Sequence, residues 1–269
     1  MKETIKTWLK EGLVDVFIGY RNMAGHPIPC FFSRENIEDL ENLVEGPARY
    51  PLEKMALKLA AGRSGVKIGL AARDCAQRAL NVLYTYNQLD PDRIRVINLN
   101  CCPSPLKDRA DCSYLKAEPA GERKKAVGVD NNLDLEDLEA LPPEERFRRW
   151  CYEFEKCIKC HGCRDVCPVC FCKECGLEHP DLITPGRLPV ETPLFHLVRA
   201  VHMAGRCIDC GLCEEACPMD IPLRLLYRKV NRITERLFAY RPGAGRDLPP
   251  FSVLGEEPPV MEVEVKGAA

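Results

Sequence analysis

The strongest constraint on this chain is a pattern written twice: Cys157-Ile-Lys-Cys160-His-Gly-Cys163-Arg-Asp-Val-Cys167-Pro168 and Cys207-Ile-Asp-Cys210-Gly-Leu-Cys213-Glu-Glu-Ala-Cys217-Pro218. Each reads C-x2-C-x2-C-x3-C-P, the spacing that holds 4Fe-4S clusters, and in two-cluster proteins the fourth Cys of each run ligates the other cluster. Three evenly spaced thiols converge around one loop, so the fourth ligand must come from elsewhere. The proline lacks a backbone N-H and turns the chain away from the buried group. This predicts cluster one on Cys157, Cys160, Cys163 and Cys217, and cluster two on Cys207, Cys210, Cys213 and Cys167. A zinc site takes two pairs of ligands, which explains neither the third Cys nor the C-P ending. Disulfide frameworks belong to short secreted chains.

The chain has 269 residues, enough for one large domain or two modest ones. Hydrophobic residues make up 46%, charged residues 29%, and the net charge is -2, so no dominating positive field is available to hold a polyanion. The opening stretch through Glu11 is charged and lacks the apolar core of a signal peptide. No run approaches the roughly 18 apolar residues of a membrane span. The 17 cysteines must stay reduced to bind iron, which makes the cytoplasm the expected compartment.

The fold class expected is α+β and multidomain: a small N-terminal α/β domain (1–115), a linker (116–142), a dicluster ferredoxin-like domain with helical insertions (143–240) and an extended tail (241–269). Residues 2–12 read as an amphipathic helix, and Val14–Tyr20 and Pro27–Phe32 as extended segments. Ser33 is the expected N-cap of a helix through Val44, and Leu52, Met55 and Leu59 mark the next helix. Val66–Ala72, Asp74–Asn87 and Ile94–Leu99 then form a β-α-β unit with parallel strands. Ligands bind outside the carboxyl ends of such strands, where Cys75, Cys101, Cys102 and Cys112 fall. Those four thiols are a candidate rim site for a further cluster or redox-active thiols, weighed against plain packing, which is the reading preferred for Cys30.

In the second half, Pro142-Pro143 opens a helix that carries Phe147, Trp150 and Phe154 on one face. After the first run come Cys170, Cys172 and Cys175, candidates for a third 4Fe-4S cluster with Cys151 or an N-terminal Cys as fourth ligand. Thr192-Pro193 is the expected start of a helix with Leu194, Leu197, Val198 and Val201 as its apolar face, leaving His196 and His202 off that stripe, either on the surface or behind the cluster ligands. Pro222 opens a last helix to about Tyr240, with Leu223, Leu226, Val230, Ile233 and Leu237 inward and its arginines solvated.

Ile68-Gly-Leu-Ala-Ala-Arg-Asp-Cys75-Ala-Gln-Arg-Ala-Leu80, the Cys101-Cys102 strand end and the bacterial-type dicluster runs with their Val-Cys-Phe-Cys-Lys-Glu-Cys extension resemble one family. It is the iron-sulfur β-subunit family of deazaflavin-reducing hydrogenases and formate dehydrogenases, including bacterial relatives, and the resemblance covers most of residues 60–235. It implies an electron-transfer subunit beside a hydrogenase, a formate dehydrogenase or a heterodisulfide-reductase-like flavoprotein. Members that reduce the deazaflavin also carry flavin on a larger α/β domain. Here that domain is short and has no G-x-G-x-x-G fingerprint.

The leading expectation is a subunit that relays single electrons through two or more 4Fe-4S clusters. Two alternatives stand beside it: a flavin-dependent subunit exchanging hydride with a deazaflavin or nicotinamide at the N-terminal domain, and a zinc-stabilised assembly scaffold. No residue is assigned a catalytic role, and no nucleic-acid partner or membrane span is expected. The first run is basic (Lys156, Lys159, His161, Arg164) and the second acidic (Asp209, Glu214, Glu215), which predicts a higher potential at cluster one.

Overall fold

The computed structural model describes residues 1–45, 50–99 and 135–251. In chain order it begins with α1 (Lys2–Glu11), β1 (Val16–Met23), β2 (His26–Phe32), β3 (Leu43–Val44), α2 (Leu52–Gly62), β4 (Ile68–Ala72), α3 (Asp74–Thr85) and β5 (Ile94–Asn98). The second half contains α4 (Leu135–Ala140), α5 (Pro143–Glu155), the single turn α6 (Gly162–Asp165), α7 (Leu194–Met203), the single turn α8 (Leu212–Glu215) and α9 (Leu223–Phe238). It is a mixed α/β chain whose sheet contains parallel strands.

The sheet runs β2-β1-β4-β5, with β3 beside β1 on the edge it shares with β4. β1 pairs antiparallel with β2 and parallel with β4, and β4 pairs parallel with β5 from Ile68↔Ile94 to Ala72↔Asn98. The β4-α3-β5 unit is therefore the parallel β-α-β unit read from the sequence. β4 is buried at every residue, as a central parallel strand covered on both faces must be. Gly69 is required there, because a Cβ would lie 2.7 Å from the Phe17 ring.

The expected helix from Ser33 to Val44 is replaced by one 3-10 stretch, Ile37–Asn42, followed by β3. The cap is Asn36, not Ser33. Asn36 Oδ1 accepts from the Ser33 amide at 2.6 Å and from its hydroxyl at 3.0 Å, which closes the loop locally before a helix can start. Leu43 and Val44 then pair with Arg21 and Tyr20.

α3 is buried on two sides. Leu80 and Leu83 pack with Ile18, Ile68 and Leu70 under the sheet, while Ala79, Val82 and Tyr86 join an apolar group with Cys167, Val169, Cys217, Leu223 and Tyr227. The β-α-β unit and the cysteine runs thus share α3 as a wall. Polar contacts repeat the link: Arg78 Nη2 donates to the Ile208 carbonyl at 3.2 Å, Lys54 Nζ to the Arg164 carbonyl at 3.1 Å, and Asn81 Nδ2 to the Gly243 carbonyl at 3.1 Å. The segment after Arg241 is consequently seated on α3, with Arg246 4.7 Å from the Tyr84 ring centre.

Two helices face differently from their sequence expectation. On α7, Leu194, Leu197 and Val201 are exposed, at 44%, 43% and 71%, while Phe195, His196, Arg199, Ala200 and Met203 are buried. Thr192 does not cap it; its hydroxyl donates to the Val190 carbonyl instead. On α9, Leu223, Leu226 and Thr234 are buried and Ile233 is exposed, and Arg224 is turned inward rather than solvated. Among the described residues no helix is long and apolar enough to cross a membrane.

Candidate metal centre

The two runs fold into the same local shape. Lys159 and His161 in the first, and Asp209 and Gly211 in the second, all take left-handed backbone angles, with φ between 53° and 80°. Three of the four are not glycine, so the loop conformation is held against an intrinsic cost of about 1–2 kcal/mol per residue. The shape aims amides at sulfur. Lys159 N lies 3.4 Å from Cys157 Sγ, and the amides of Asp209, Leu212, Val169 and Met219 bond the sulfurs of Cys207, Cys210, Cys167 and Cys217. In each of these pairs the donor is two residues downstream, Cys217 takes a further bond from the Ile221 amide, and each such bond favours an anionic sulfur.

The fourth cysteine of each run meets the opposite run. Cys157 and Cys163 lie in the field of Cys217 and Cys160, and Cys217 in that of Cys160. Cys207, Cys210 and Cys213 lie in the field of Cys167. Cys167, Cys207, Cys210 and Cys213 line one cavity, whose wall also carries Arg199, Asp209, Arg224 and Tyr227.

Burial pushes the Cys163 thiol up to about 11 and Cys207 up to about 12, and raises Cys210 and Cys213 well beyond an ordinary thiol. A thiolate at these positions needs a cation beside it, and a coordinated metal deprotonates such a thiol outright. Among the described residues no three His, Cys, Asp or Glu side chains gather closely enough for a single metal ion. Cys167, Cys207, Cys210 and Cys213 around one cavity supply the four-cysteine donor set that a 4Fe-4S group takes. The described cysteines are free thiols.

The remaining candidates divide. Cys170 Sγ lies 3.9 Å from Arg199 Nη1, Cys172 Sγ 3.7 Å from Arg206 Nη1, and Cys175 hydrogen-bonds with Arg164, so the three thiols engage three different arginines. Cys151 on α5 is perturbed by burial and by Glu155, with no cysteine in its field. Cys75, half-buried at the start of α3, lies in the field of Cys210 and lines a cleft with Tyr20, Glu53 and Arg73 at the carboxyl ends of the parallel strands. Its proposed rim neighbours Cys101, Cys102 and Cys112 lie outside the described residues. Cys30 is half-buried against the core formed by α1, β1 and β2.

The aromatic stripe of α5 is partly inward. Phe154 is buried and stacked on Trp150 and His196, at 5.4 and 4.6 Å, whereas Phe147 is 57% exposed. His196 is buried, not on the surface, and burial followed by the charge of Arg199 lowers its pKa to about 4. His202 is exposed as expected.

Sequence reading missed Arg199 altogether. It is 4% exposed, donates Nη2 to the Cys163 carbonyl at 2.8 Å, and lies with its guanidinium carbon 5.9 Å from the Tyr227 ring centre. Its only signal was an arginine among apolar residues of α7. The loop charges that the sequence contrasted are meanwhile paired. Lys159 meets Glu191 at 2.8 Å, Arg164 meets Asp165 and Glu178, Lys156 meets Glu153, and Asp209 meets Arg224 at 2.7 Å and Arg228 at 3.5 Å. These ion pairs offset the basis of the predicted potential difference.

Fold, cysteine-lined cavity and similarities together support an iron-sulfur protein with a ferredoxin-like region. The 4Fe-4S binding domain family matches residues 200–222. Over 155 residues the chain is 40% identical to the F420-dependent formate dehydrogenase subunit beta of Methanocaldococcus jannaschii, covering 54% of this chain and 40% of that one. It is also 40% identical over 152 residues to the F420-dependent formate dehydrogenase 1 subunit beta of Methanococcus maripaludis, covering 54% of this chain and 39% of that one. The succinate dehydrogenase iron-sulfur subunit of Bacillus subtilis is 30% identical over 132 residues, covering 46% of this chain and 51% of that subunit. The chain therefore spans less than half the length of the two formate dehydrogenase subunits. The similarities support an iron-sulfur β-subunit family for the matched part of the chain.

Proposed function

We propose that the chain is an electron-transfer subunit of a multisubunit oxidoreductase of the formate dehydrogenase or hydrogenase kind, relaying single electrons through two 4Fe-4S clusters. Cluster one is held by Cys157, Cys160, Cys163 and Cys217, and cluster two by Cys207, Cys210, Cys213 and Cys167. The observation that carries this is the crossed arrangement: Cys167 of the first run lines the cavity of Cys207, Cys210 and Cys213. Such a group supplies one-electron exchange with little change of geometry. The protein supplies amide hydrogen bonds to sulfur, an apolar wall and a fixed spacing between the runs. Cys160 and Ile158 are exposed, so the first run is the side offered to a partner subunit. The second run is backed by α3, with Cys75 and the cleft at the strand ends beyond it.

The full chain purified anaerobically is expected to carry about eight irons. C217A should then lose the same spectroscopic signal as C157A, and C167A the same signal as C207A. If C217A instead behaves like C213A, each run holds its own cluster and the crossed assignment is wrong. Zinc in place of iron would sink the redox reading.

A further inference from the structure

We propose that Arg199 is the shared counter-charge of the two cluster sites, a positioning residue that ties the first run to Cys170 and sets the reduction potentials on both sides. The proposal rests on the two-cluster reading. A guanidinium stays charged at any working pH, and a buried charge is costly unless opposite charge is close. Among the described residues no carboxylate lies within salt-bridge reach of Arg199. Arg224, on the wall of the same cavity, meets Asp209 at 2.7 and 3.3 Å. Arg206 lies 4.6 and 4.7 Å from the ring centres of Tyr86 and Phe171.

Arg199 is flanked by the Tyr227 ring and His196, and its remaining neighbours are sulfur and the cysteine backbone. Nη2 donates to the Cys163 carbonyl at 2.8 Å, Nη1 lies 3.9 Å from Cys170 Sγ, and Cys167, Cys163 and Cys170 all act on its charge. Cys163 belongs to the first proposed ligand set and Cys167 to the second, so the cation sits between the two. Thiolates and sulfides outweigh the iron charge in a filled site, which makes each site anionic. They are the compensation that Arg199 otherwise lacks. Each electron added makes the sites more negative, so a cation fixed between them favours the reduced forms. Lys54 also faces Cys170 and Cys167, but it is only half-buried and its amine donates to the Arg164 carbonyl. Arg199 is the enclosed charge. Its planar fork reaches two groups at once, a geometry that a lysine cannot copy although it keeps the charge.

The test is a redox titration of the full anaerobic protein followed by electron paramagnetic resonance, comparing R199Q and R199K with wild type. R199Q should lower the equilibrium constant for reduction of both clusters by at least about tenfold, which is about 59 mV for one electron. R199K should stay within about threefold of wild type on the same scale. The proposal is overturned if R199Q leaves both potentials unchanged, or if R199K shifts them as far as R199Q does, since packing rather than charge would then be responsible. Should R199Q lose iron, iron content becomes the readout: R199K filled to the wild-type level supports the proposal, and equal loss in both variants overturns it. Absence of iron in the wild type would instead defeat the two-cluster reading itself.

Discussion

His196 gives the structure a measurable acid limit. It is 1% exposed on α7, stacked on Phe154 at 4.6 Å and set edge-on to Phe195 at 5.2 Å, and neither ring nitrogen has a hydrogen-bond partner among the described residues. Burial first, and the charge of Arg199 second, bring its pKa from 6.5 to about 4. The unfolded chain therefore takes up this proton before the folded one as pH falls. Stability from this residue is complete above pH about 6.5 and drains away down to about pH 4, a total of about 3 kcal/mol. Between pH 7.5 and 5.5 the loss is about 1.3 kcal/mol, or about 3–5 °C in Tm for a chain of this size. H196F keeps the aromatic stack and removes both the titration and two buried unpaired nitrogens, so at pH 7.5 it should be as stable as wild type or more so. Thermal melts of the iron-loaded full chain, wild type against H196F, should diverge by that 3–5 °C across the interval. Parallel curves would refute the buried neutral histidine, because any acid loss common to both proteins belongs to other groups.

The facing of α7 has a direct test. V201D, at a position 71% exposed, should change stability by less than about 0.5 kcal/mol, while A200D, at 4% exposure, should cost more than about 3 kcal/mol; a denaturant series in which Val201 is the sensitive position would reverse the assignment. At Gly243, φ is +75° and a Cβ would lie 2.4 Å from the Arg78 carbonyl oxygen. G243A should therefore cost at least about 2 kcal/mol in a guanidinium melt, and a cost below about 0.5 kcal/mol would mean that the segment after Arg241 does not sit on α3.

Local signals carried much of the fold. The β4-α3-β5 unit was legible because three consecutive segments changed from strand to helical period and back. The Cys runs were legible because their spacing is chemical. The α7 assignment failed for a physical reason: Leu194, Leu197 and Val201 form a cleaner apolar stripe than the buried face, which has to accept Arg199 and His196. A face built around a charge and a stack breaks the hydrophobic pattern on which periodicity depends. The loop from Ser33 failed because Asn36 satisfies Ser33 locally, an outcome that no period reports.

The relation between the two halves follows from α3. Leu80 and Leu83 lie in the sheet core, and Ala79 and Val82 in the core around Cys167 and Cys217. A helix of twelve residues with buried contacts on two sides cannot rotate to favour one without exposing the other. The second run is thus fixed relative to the sheet, and with it the approach of Cys75 to Cys210. The first run shares that backing only at its end, where Cys167 packs with Ala79 and Val82 and the Arg164 carbonyl accepts from Lys54; its loop is more open, with Cys160 and Ile158 in solvent and Lys159 and Arg164 held by ion pairs to Glu191 and Glu178. Any structural adjustment on docking a partner should therefore fall on the first run and its 176–191 neighbours, while the geometry around Cys210 stays constant.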